Sequence, residues 1–125
     1  MAAMGDRIAV FRALSDETRL RMLVLLSRRV LCVCEIERVL GLPQSRVSRH
    51  LAALRGAGLV AGRRKGRWVY YALFPPRNEL ERALQGCLRA CFNGVPAVKR
   101  DMRRLGDMRP MGPRGICARR RRQGG

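Results

Sequence analysis

The five cysteines are the residues of this sequence best suited to bind a soft metal or to react with an oxidant. Cys32 and Cys34 are separated by one residue, and Cys87 and Cys91 are separated by three. Thiolate sulfur prefers soft metals and metalloids to hard cations. Because five is an odd number and the cysteines have no regular spacing, we expect free thiols in a reducing compartment rather than a full set of disulfides.

The spacing within each cysteine pair decides how the pair could share one ligand. On a regular helix Cys32 and Cys34 would point roughly 200° apart, so they could hold one atom only where the helix is irregular. We therefore expect a bound ligand to hold this first helical turn out of regular geometry and to pass the strain to the next helix. Cys87 and Cys91 would lie about 40° apart and could face one ion, although free cysteine is also a common small core residue.

A second group of residues with binding chemistry lies on the predicted helix from Gln44 to Arg55. Its apolar residues fall within one narrow arc at about 100° per residue, whereas Ser45 and Arg49 lie opposite that arc. Small polar residues let a helix enter a DNA groove, and guanidinium groups pair with guanine edges or phosphates. The residues predicted to contact DNA from this helix are Gln44, Ser45, Arg46, Ser48, Arg49 and His50.

His50 is the only histidine, and it lies at the edge of the buried arc of this helix. A local hydrogen bond and a phosphate contact are both open to a ring in that position. A single histidine cannot form a catalytic pair with itself, and we find neither a catalytic constellation nor a glycine-rich phosphate loop. We therefore expect that the protein is not an enzyme.

A β-hairpin is predicted after this helix, with strands at 59–61 and 67–73 and a turn at 63–66. Its cations are Arg63, Arg64, Lys65 and Arg67. Four cations beside a DNA-reading helix are suited to hold phosphates or to enter the minor groove. We expect Trp68 and Tyr70 to pack in the sheet rather than to stack on bases.

Helices must position these groups, and hydrophobic periodicity with capping signals predicts six of them. The first helix is expected at 7–14, and the second runs from an N-cap at Ser15 to about Arg28 and Arg29. The third and fourth helices run from Cys32 to Leu40 and from Gln44 to Arg55. The fifth runs from a cap at Asn78 to Asn93, and the sixth is a short helix at 97–105. A glycine-containing turn at Gly41 joins the third and fourth helices, which is typical of a helix-turn-helix. We expect one DNA-binding and dimerisation domain over 1–94, a short helix within 95–108 and a disordered arginine-rich tail over 109–125.

The net charge favours a polyanionic partner. The 125 residues contain 27 Lys and Arg against 9 Asp and Glu, a formal charge of +18. Nucleic acid is the first candidate for such a basic chain. No apolar run approaches the ~18 residues that span a bilayer, so a membrane partner is not expected. The first ten residues contain no apolar signal-peptide core, and we expect the protein to be cytoplasmic.

Four motifs together resemble the ArsR (ArsR/SmtB) family of metal-responsive repressors. They are FRALSDETRLRML at 11–23, LCVCE at 31–35, QSRVSRHL at 44–51 and KGRWVYY at 65–71. The resemblance implies a mostly helical α+β fold, a winged helix-turn-helix with a β-hairpin wing that dimerises through its terminal helices. It also implies a homodimer that represses transcription on double-stranded operator DNA. As(III) or Sb(III), or alternatively another thiophilic metal, bound at Cys32 and Cys34 would relieve that repression, and no cofactor would be needed for DNA binding.

One departure from the family pattern leaves the third ligand of a pyramidal As(III) site open. Members with this motif often carry a third cysteine where this chain has Glu37. The third ligand could come from Cys87, Cys91 or Cys117, from the partner subunit, or from an external thiol or solvent. Cys87 and Cys91 could also form a separate site. Two further alternatives are a repressor of the same fold that senses oxidant or persulfide, and an unswitched basic nucleic-acid-binding protein.

Overall fold

The computed structural model describes residues 3–109, which form six helices and a three-stranded antiparallel sheet. In chain order the elements are α1 (Met4–Leu14), α2 (Glu17–Leu26), β1 (Leu31–Cys32), α3 (Val33–Leu40), α4 (Gln44–Gly56), β2 (Val60–Lys65), β3 (Trp68–Leu73), α5 (Glu79–Ala90) and α6 (Pro96–Asp107). This arrangement confirms the predicted mostly helical α+β class with a β-hairpin wing. The predicted disordered tail lies outside the described residues, apart from Arg109.

The start of α2 differs from the sequence prediction. Asp16, not Ser15, is the N-cap, and its carboxylate accepts a 3.0 Å hydrogen bond from the Arg19 amide. Ser15 instead ends α1, where its hydroxyl donates to the Phe11 carbonyl over 2.8 Å. Both residue types are good N-caps, and the carboxylate also suits the positive end of the helix dipole. The helix also ends earlier than predicted, at Leu26.

The helix-turn-helix consists of α3, a tight turn and α4. Gly41 ends α3 with a φ of 67°, and its amide donates to the Glu37 carbonyl over 2.8 Å. Glycine adopts this left-handed conformation without a Cβ penalty, which is why the helix ends there. The apolar stripes of both helices meet in the core, as their periodicity predicts, through buried Ile36, Val39, Leu40, Val47, Leu51 and Leu54.

The wing is a hairpin with a shorter turn than predicted. Strands β2 and β3 pair without interruption from Val60 opposite Leu73 to Lys65 opposite Trp68. The turn therefore contains only Gly66 and Arg67, and the predicted turn at 63–66 is wrong. Its position follows from Gly66, which adopts a φ of 62° that L side chains rarely take.

The two-residue strand β1 was not predicted from the sequence. Leu31 pairs with Tyr71, and Cys32 pairs with Tyr70, so the strand order is β1-β3-β2. The segment just before α3 is thereby attached to the wing by backbone hydrogen bonding.

Helix α6 is held against α2 and α3. The Arg21 guanidinium binds the carboxylate of Asp101 through two hydrogen bonds of 2.8 Å, and the Asp101 side chain is 1% exposed. A second guanidinium, that of Arg104, donates to the Val39 carbonyl over 3.1 Å. The first contact holds α6 on α2, and the second holds it on α3, the helix that precedes the turn before α4.

An apolar stripe on α1 faces outward. Met4, Ile8 and Phe11 are 71%, 47% and 56% exposed, whereas Val10 and Ala13 of the same helix are buried. Residues four and three apart lie on one side of a helix, so the three exposed side chains form a continuous apolar surface. Separately, none of the helices in residues 3–109 is long and apolar enough to cross a membrane.

Candidate nucleic-acid interface and thiol cluster

The outer face of α4 is polar, basic and exposed. Five of its six predicted DNA-contacting residues are exposed, namely Gln44, Ser45, Arg46, Ser48 and Arg49. Val47 and Leu51 are at most 1% exposed on the opposite side, so the helix is anchored while its polar face stays open. No acidic residue lies in its first turn, which leaves the positive end of the helix available to a phosphate.

His50 lies apart from this exposed face. Its side chain is half-buried, and its Nδ1 lies 3.9 Å from the Asp16 carboxylate at the start of α2. That distance is too long for a hydrogen bond. The pKa of Asp16 is lowered, first because the Arg19 amide donates to it and secondarily because of the charges of His50 and Arg19. The histidine therefore faces the α2 N-terminus.

The four predicted wing cations are all exposed, but they do not share one loop. Arg63, Arg64 and Lys65 lie in β2, and only Arg67 lies in the turn. Because side chains alternate along a strand, Arg63 and Lys65 lie on one face of the hairpin and Arg64 on the other. The wing therefore presents positive charge on both of its faces.

The wing and α4 are joined by a contact that the sequence patterns did not predict. The Arg55 guanidinium at the end of α4 donates to the Tyr71 hydroxyl of β3 over 3.1 Å. Tyr71 also pairs with Leu31 of β1. A shift of β3 would therefore change the contacts of both the DNA-reading helix α4 and the segment before α3.

Both Cys32 and Cys34 belong to one small apolar cluster, which we name the thiol cluster. It consists of Cys32, Cys34, Trp68, Tyr70 and Met108. Cys32 is 1% exposed and Tyr70 is 8% exposed, and the other three are half-buried. Because side chains alternate along β3, the cluster lies on the face of the sheet opposite Tyr71 and the main core.

The position of Cys32 corrects the sequence prediction for the thiol pair. Cys32 precedes α3 as its N-cap, with extended backbone at φ −83° and ψ 162°. Only Cys34 lies in the first helical turn, so the separation of roughly 200° expected for two helical residues does not apply. Both cysteines pack in one cluster while α3 stays regular, and no distorted turn is needed to bring them there.

Glu35 fixes the backbone at Cys32. Its carboxylate accepts a 2.8 Å hydrogen bond from the Cys32 amide, and the side chain is 2% exposed. A glutamate three residues after an N-cap is one half of a capping box. That spacing was the signal in the sequence by which this contact could have been found.

The second cysteine pair lies at the end of α5. Cys87 is half-buried, and Cys91 is exposed as the C-cap, so the two do not share a buried face. A hydrogen bond with the Cys91 thiol, together with burial, raises the pKa of Cys87. Within residues 3–109, no group of three or more His, Cys, Asp or Glu side chains is arranged to hold a metal. The described residues therefore bring no third His, Cys, Asp or Glu side chain into a metal-holding arrangement with either pair, and Cys117 lies outside them.

The sequence of these elements is similar to that of known bacterial regulatory proteins. Residues 16–61, which span α2 to the start of β2, match the family described as bacterial regulatory protein, arsR family. The chain is 55% identical over 67 residues to the arsenic resistance transcriptional regulator ArsR1 of Pseudomonas putida, a match that covers 53% of this chain and 52% of that protein. It is 38% identical over 104 residues to the transcriptional regulator KmtR of Mycobacterium tuberculosis, covering 81% and 76% respectively.

One further relative is named for cadmium rather than arsenic. The chain is 38% identical over 69 residues to a cadmium resistance regulatory protein, a CadC homolog of Staphylococcus aureus, covering 54% of this chain and 57% of that protein. The chain thus matches little more than half the length of the arsenic and cadmium regulators. All of these relatives are named as regulators, in agreement with the expectation that the chain is not an enzyme.

Solved structures support the same fold. HlyU from Vibrio cholerae superposes with a TM-score of 0.63 at 32% identity, covering 70% of this chain and 92% of HlyU. The winged helix-turn-helix domain of Mb0332 from Mycobacterium bovis, described as homodimeric, superposes with a TM-score of 0.61 at 28% identity, covering 72% and 81%.

Proposed function

Because the chain belongs to the ArsR family of bacterial regulatory proteins, we propose that it is a homodimeric repressor that leaves its operator when its thiols bind a thiophilic metalloid. The observation that carries this proposal is the thiol cluster. It joins the segment before the helix-turn-helix to β3, the strand that the wing shares with β1. A ligand bound there would contact both the wing and the start of α3, the first helix of the helix-turn-helix.

DNA binding rests on α4 and the wing. The exposed residues of α4 can enter a major groove, where Arg49 would pair with a base edge and Arg46 would contact phosphate. Arg63, Arg64, Lys65 and Arg67 would hold the flanking phosphates or the minor groove. His50 would at most contact phosphate, since it faces Asp16. The charge of +18 would strengthen binding to any duplex. The protein would act in the cytoplasm, where its operator lies.

Dimerisation rests on the exposed stripe of α1. A second copy would bury Met4, Ile8 and Phe11, together with the terminal helices, as the family resemblance implies. Two helix-turn-helix units related by a two-fold axis read half-sites about one helical turn apart. A pseudo-palindromic operator is therefore expected.

The inducer we propose is As(III) or Sb(III), bound first by Cys32 and Cys34. Soft thiolates favour these elements. The third ligand would be an external thiol, solvent or a thiol of the partner subunit. Ligation changes the packing of Cys32 on Tyr70, and β3 carries that change through Tyr71 to Arg55 of α4. The resulting switch shifts the equilibrium between two arrangements of the wing and α4.

One titration tests this proposal. A labelled duplex, selected from a random pool by the ligand-free protein, is bound to the dimer, and fluorescence anisotropy follows its release. Arsenite or antimonite should release the duplex at concentrations near that of the protein, and Mg²⁺ should not. Release by a sulfane-sulfur donor alone would favour the persulfide alternative. Equal affinity for all duplexes with no release by any ligand would favour an unswitched basic protein.

A further inference from the structure

We propose that α6 is a second DNA-contacting element, whose exposed cations Lys99, Arg100 and Arg103 bind phosphates of the duplex beside the bases that α4 reads. This inference rests on the proposed function and extends the contact surface of the same protein. Helix α6 lies outside residues 16–61, which match the family. Two features of α6 carry the inference, namely the charge of its exposed face and the elements to which the helix is fixed.

The exposed face of α6 is positively charged. Lys99, Arg100 and Arg103 are all exposed, and they fall within an arc of about 100° around the helix. Asp101 lies on the buried side, and Asp107, the other acidic residue of α6, is one turn beyond Arg103. Within the part of the chain that the structure describes, none of the three cations forms an ion pair with an acidic side chain. Their charge is therefore available to a partner.

This face lacks the mixture of charges that stabilises a solvated helix. Lys99 and Arg103 are four residues apart, so they bring like charges together. Arg100 and Arg104 have the same spacing and the same effect. Like charges at this spacing destabilise a helix, whereas opposite charges stabilise it. A phosphate backbone along the face removes the repulsion and releases its own condensed counterions, so the charge pattern favours a polyanion over water.

The buried side of α6 fixes the helix in place. The Asp101 carboxylate accepts two hydrogen bonds of 2.8 Å from the Arg21 guanidinium of α2. Val98 and Leu105 are buried in the main core. A bidentate pair of this kind sets the orientation of its two partners as well as their distance. The exposed cations are therefore carried on a rigid element, and the helix itself needs no ordering when they bind DNA.

Two contacts bring α6 beside the elements that are expected to face DNA. The Arg104 guanidinium donates to the carbonyl of Val39, which lies two residues before Gly41 and the turn into α4. Further along α6, its C-cap Met108 packs in the thiol cluster with Tyr70 of β3. The C-terminal half of α6 therefore lies beside both the helix-turn-helix and the strand of the wing. We accordingly assign its cations to phosphates that flank the bases read by α4.

The test compares two variants of the full-length protein that lose the same number of arginines. Arg100→Gln with Arg103→Gln removes charge from α6, and Arg82→Gln with Arg89→Gln removes it from exposed positions of α5. Each dimer is titrated with the selected operator over a range of salt concentrations. In the α6 variant the slope of log K against log salt should fall in magnitude by about 1.8 to about 3.6, since each of the two or four phosphates lost by the dimer contributes about 0.9. The slope of the α5 variant should change little.

Operators trimmed stepwise from both ends locate the contact. Trimming should weaken binding of wild type before it reaches the bases that the selection fixes, and the α6 variant should be insensitive to the same trimming. Phosphate contacts carry no sequence information, so the preference of the α6 variant for the selected operator over single-base variants should equal that of wild type.

Three results would overturn the proposal and leave the repressor function intact. The first is a salt slope that falls equally in both variants, because it would report overall charge alone. The second is an α6 variant with the slope and the trimming profile of wild type. The third is a loss of stability to urea in the α6 variant, which would assign its cations a structural role. A wild-type protein that selects no duplex from the random pool would instead refute the proposed function itself.

Discussion

Cys32 and Tyr70 face each other across the β1–β3 pair and also pack in one cluster, so a buried thiol and the central strand of the sheet are joined through both backbone and side chain. The same Cys32 amide donates to the buried Glu35 carboxylate, which ties it to the first turn of α3. A change in the contacts of Cys32 would therefore alter the position of the wing, of α3 or of both.

Replacing Cys32 or Cys34 with serine should leave operator affinity nearly unchanged and abolish release by arsenical. Neither residue is on the exposed face of α4 or among the wing cations. Anisotropy titration with operator, then with ligand, measures both quantities, and Cys87→Ser serves as the control. Loss of operator binding in both variants would show that sensing and DNA reading cannot be separated.

Replacing Arg49 with alanine should weaken operator binding by about 1–3 kcal/mol and relax specificity at one base position, as expected for a guanidinium on a base edge. Arg82→Ala is the matched control, because Arg82 is an exposed arginine of α5, outside α4 and the wing. Binding to the operator and to single-base variants is compared at one salt concentration. An unchanged ratio between them would mean that Arg49 contacts only phosphate.

Removing residues 109–125 should lower the affinity for all DNA alike and flatten the dependence on salt. The segment contains six arginines and no acidic residue. For every phosphate that the shortened protein no longer binds, the slope of log K against log salt should fall in magnitude by about 0.9. A full-length variant whose tail arginines are replaced by glutamine controls for the length of the tail. If the shortened protein has the same slope as wild type, the tail has no role in DNA binding.

Replacing Asp101 with alanine should destabilise the fold by about 3–5 kcal/mol, because Arg21 would be left as a largely buried, unpaired charge. The pair also holds α6 on α2. Urea unfolding measures the decrease in stability. The double variant Arg21→Met with Asp101→Leu should recover most of it, since no charge is then buried. A double variant as unstable as the single one would contradict this explanation.

The pH dependence of stability should include a contribution from Asp16. Its pKa lies below the usual value of 3.8 because the Arg19 amide donates to it. The folded protein therefore binds that proton more weakly than the unfolded chain does. This contribution is present above about pH 3.8 and is lost as the pH falls through the lowered folded value. Asp16→Asn should keep the cap and lose this acid sensitivity.

Asp16→Ala should lose about 1 kcal/mol at neutral pH together with the cap. Chemical unfolding of wild type and both variants between pH 3 and pH 7 compares the three proteins. An asparagine variant with the same acid profile as wild type would assign the sensitivity to another carboxyl group.

The local patterns of this sequence predicted its helices better than its sheet. The apolar stripe of α4 and the glycine that ends α3 depend on neighbouring residues, so periodicity reveals them. Strand β1 depends on pairing with β3, which lies nearly forty residues further along the chain. The exposed residues of α4 followed from periodicity for the same reason, whereas the common cluster of Cys32 and Cys34 did not. Ser15 and Asp16 are adjacent cap formers, and sequence alone ranked them wrongly.

The brevity of β1 bears on how fast the proposed switch would respond. Only two residues pair with β3, and each backbone hydrogen bond contributes a net of about 0.5–1.5 kcal/mol. Detaching so short a strand needs no global unfolding and fits motions on the microsecond-to-millisecond timescale. In the proposed switch, the protein would therefore return to its ligand-free form as soon as the ligand departs, and the lifetime of the bonds between sulfur and metalloid would set the duration of the response.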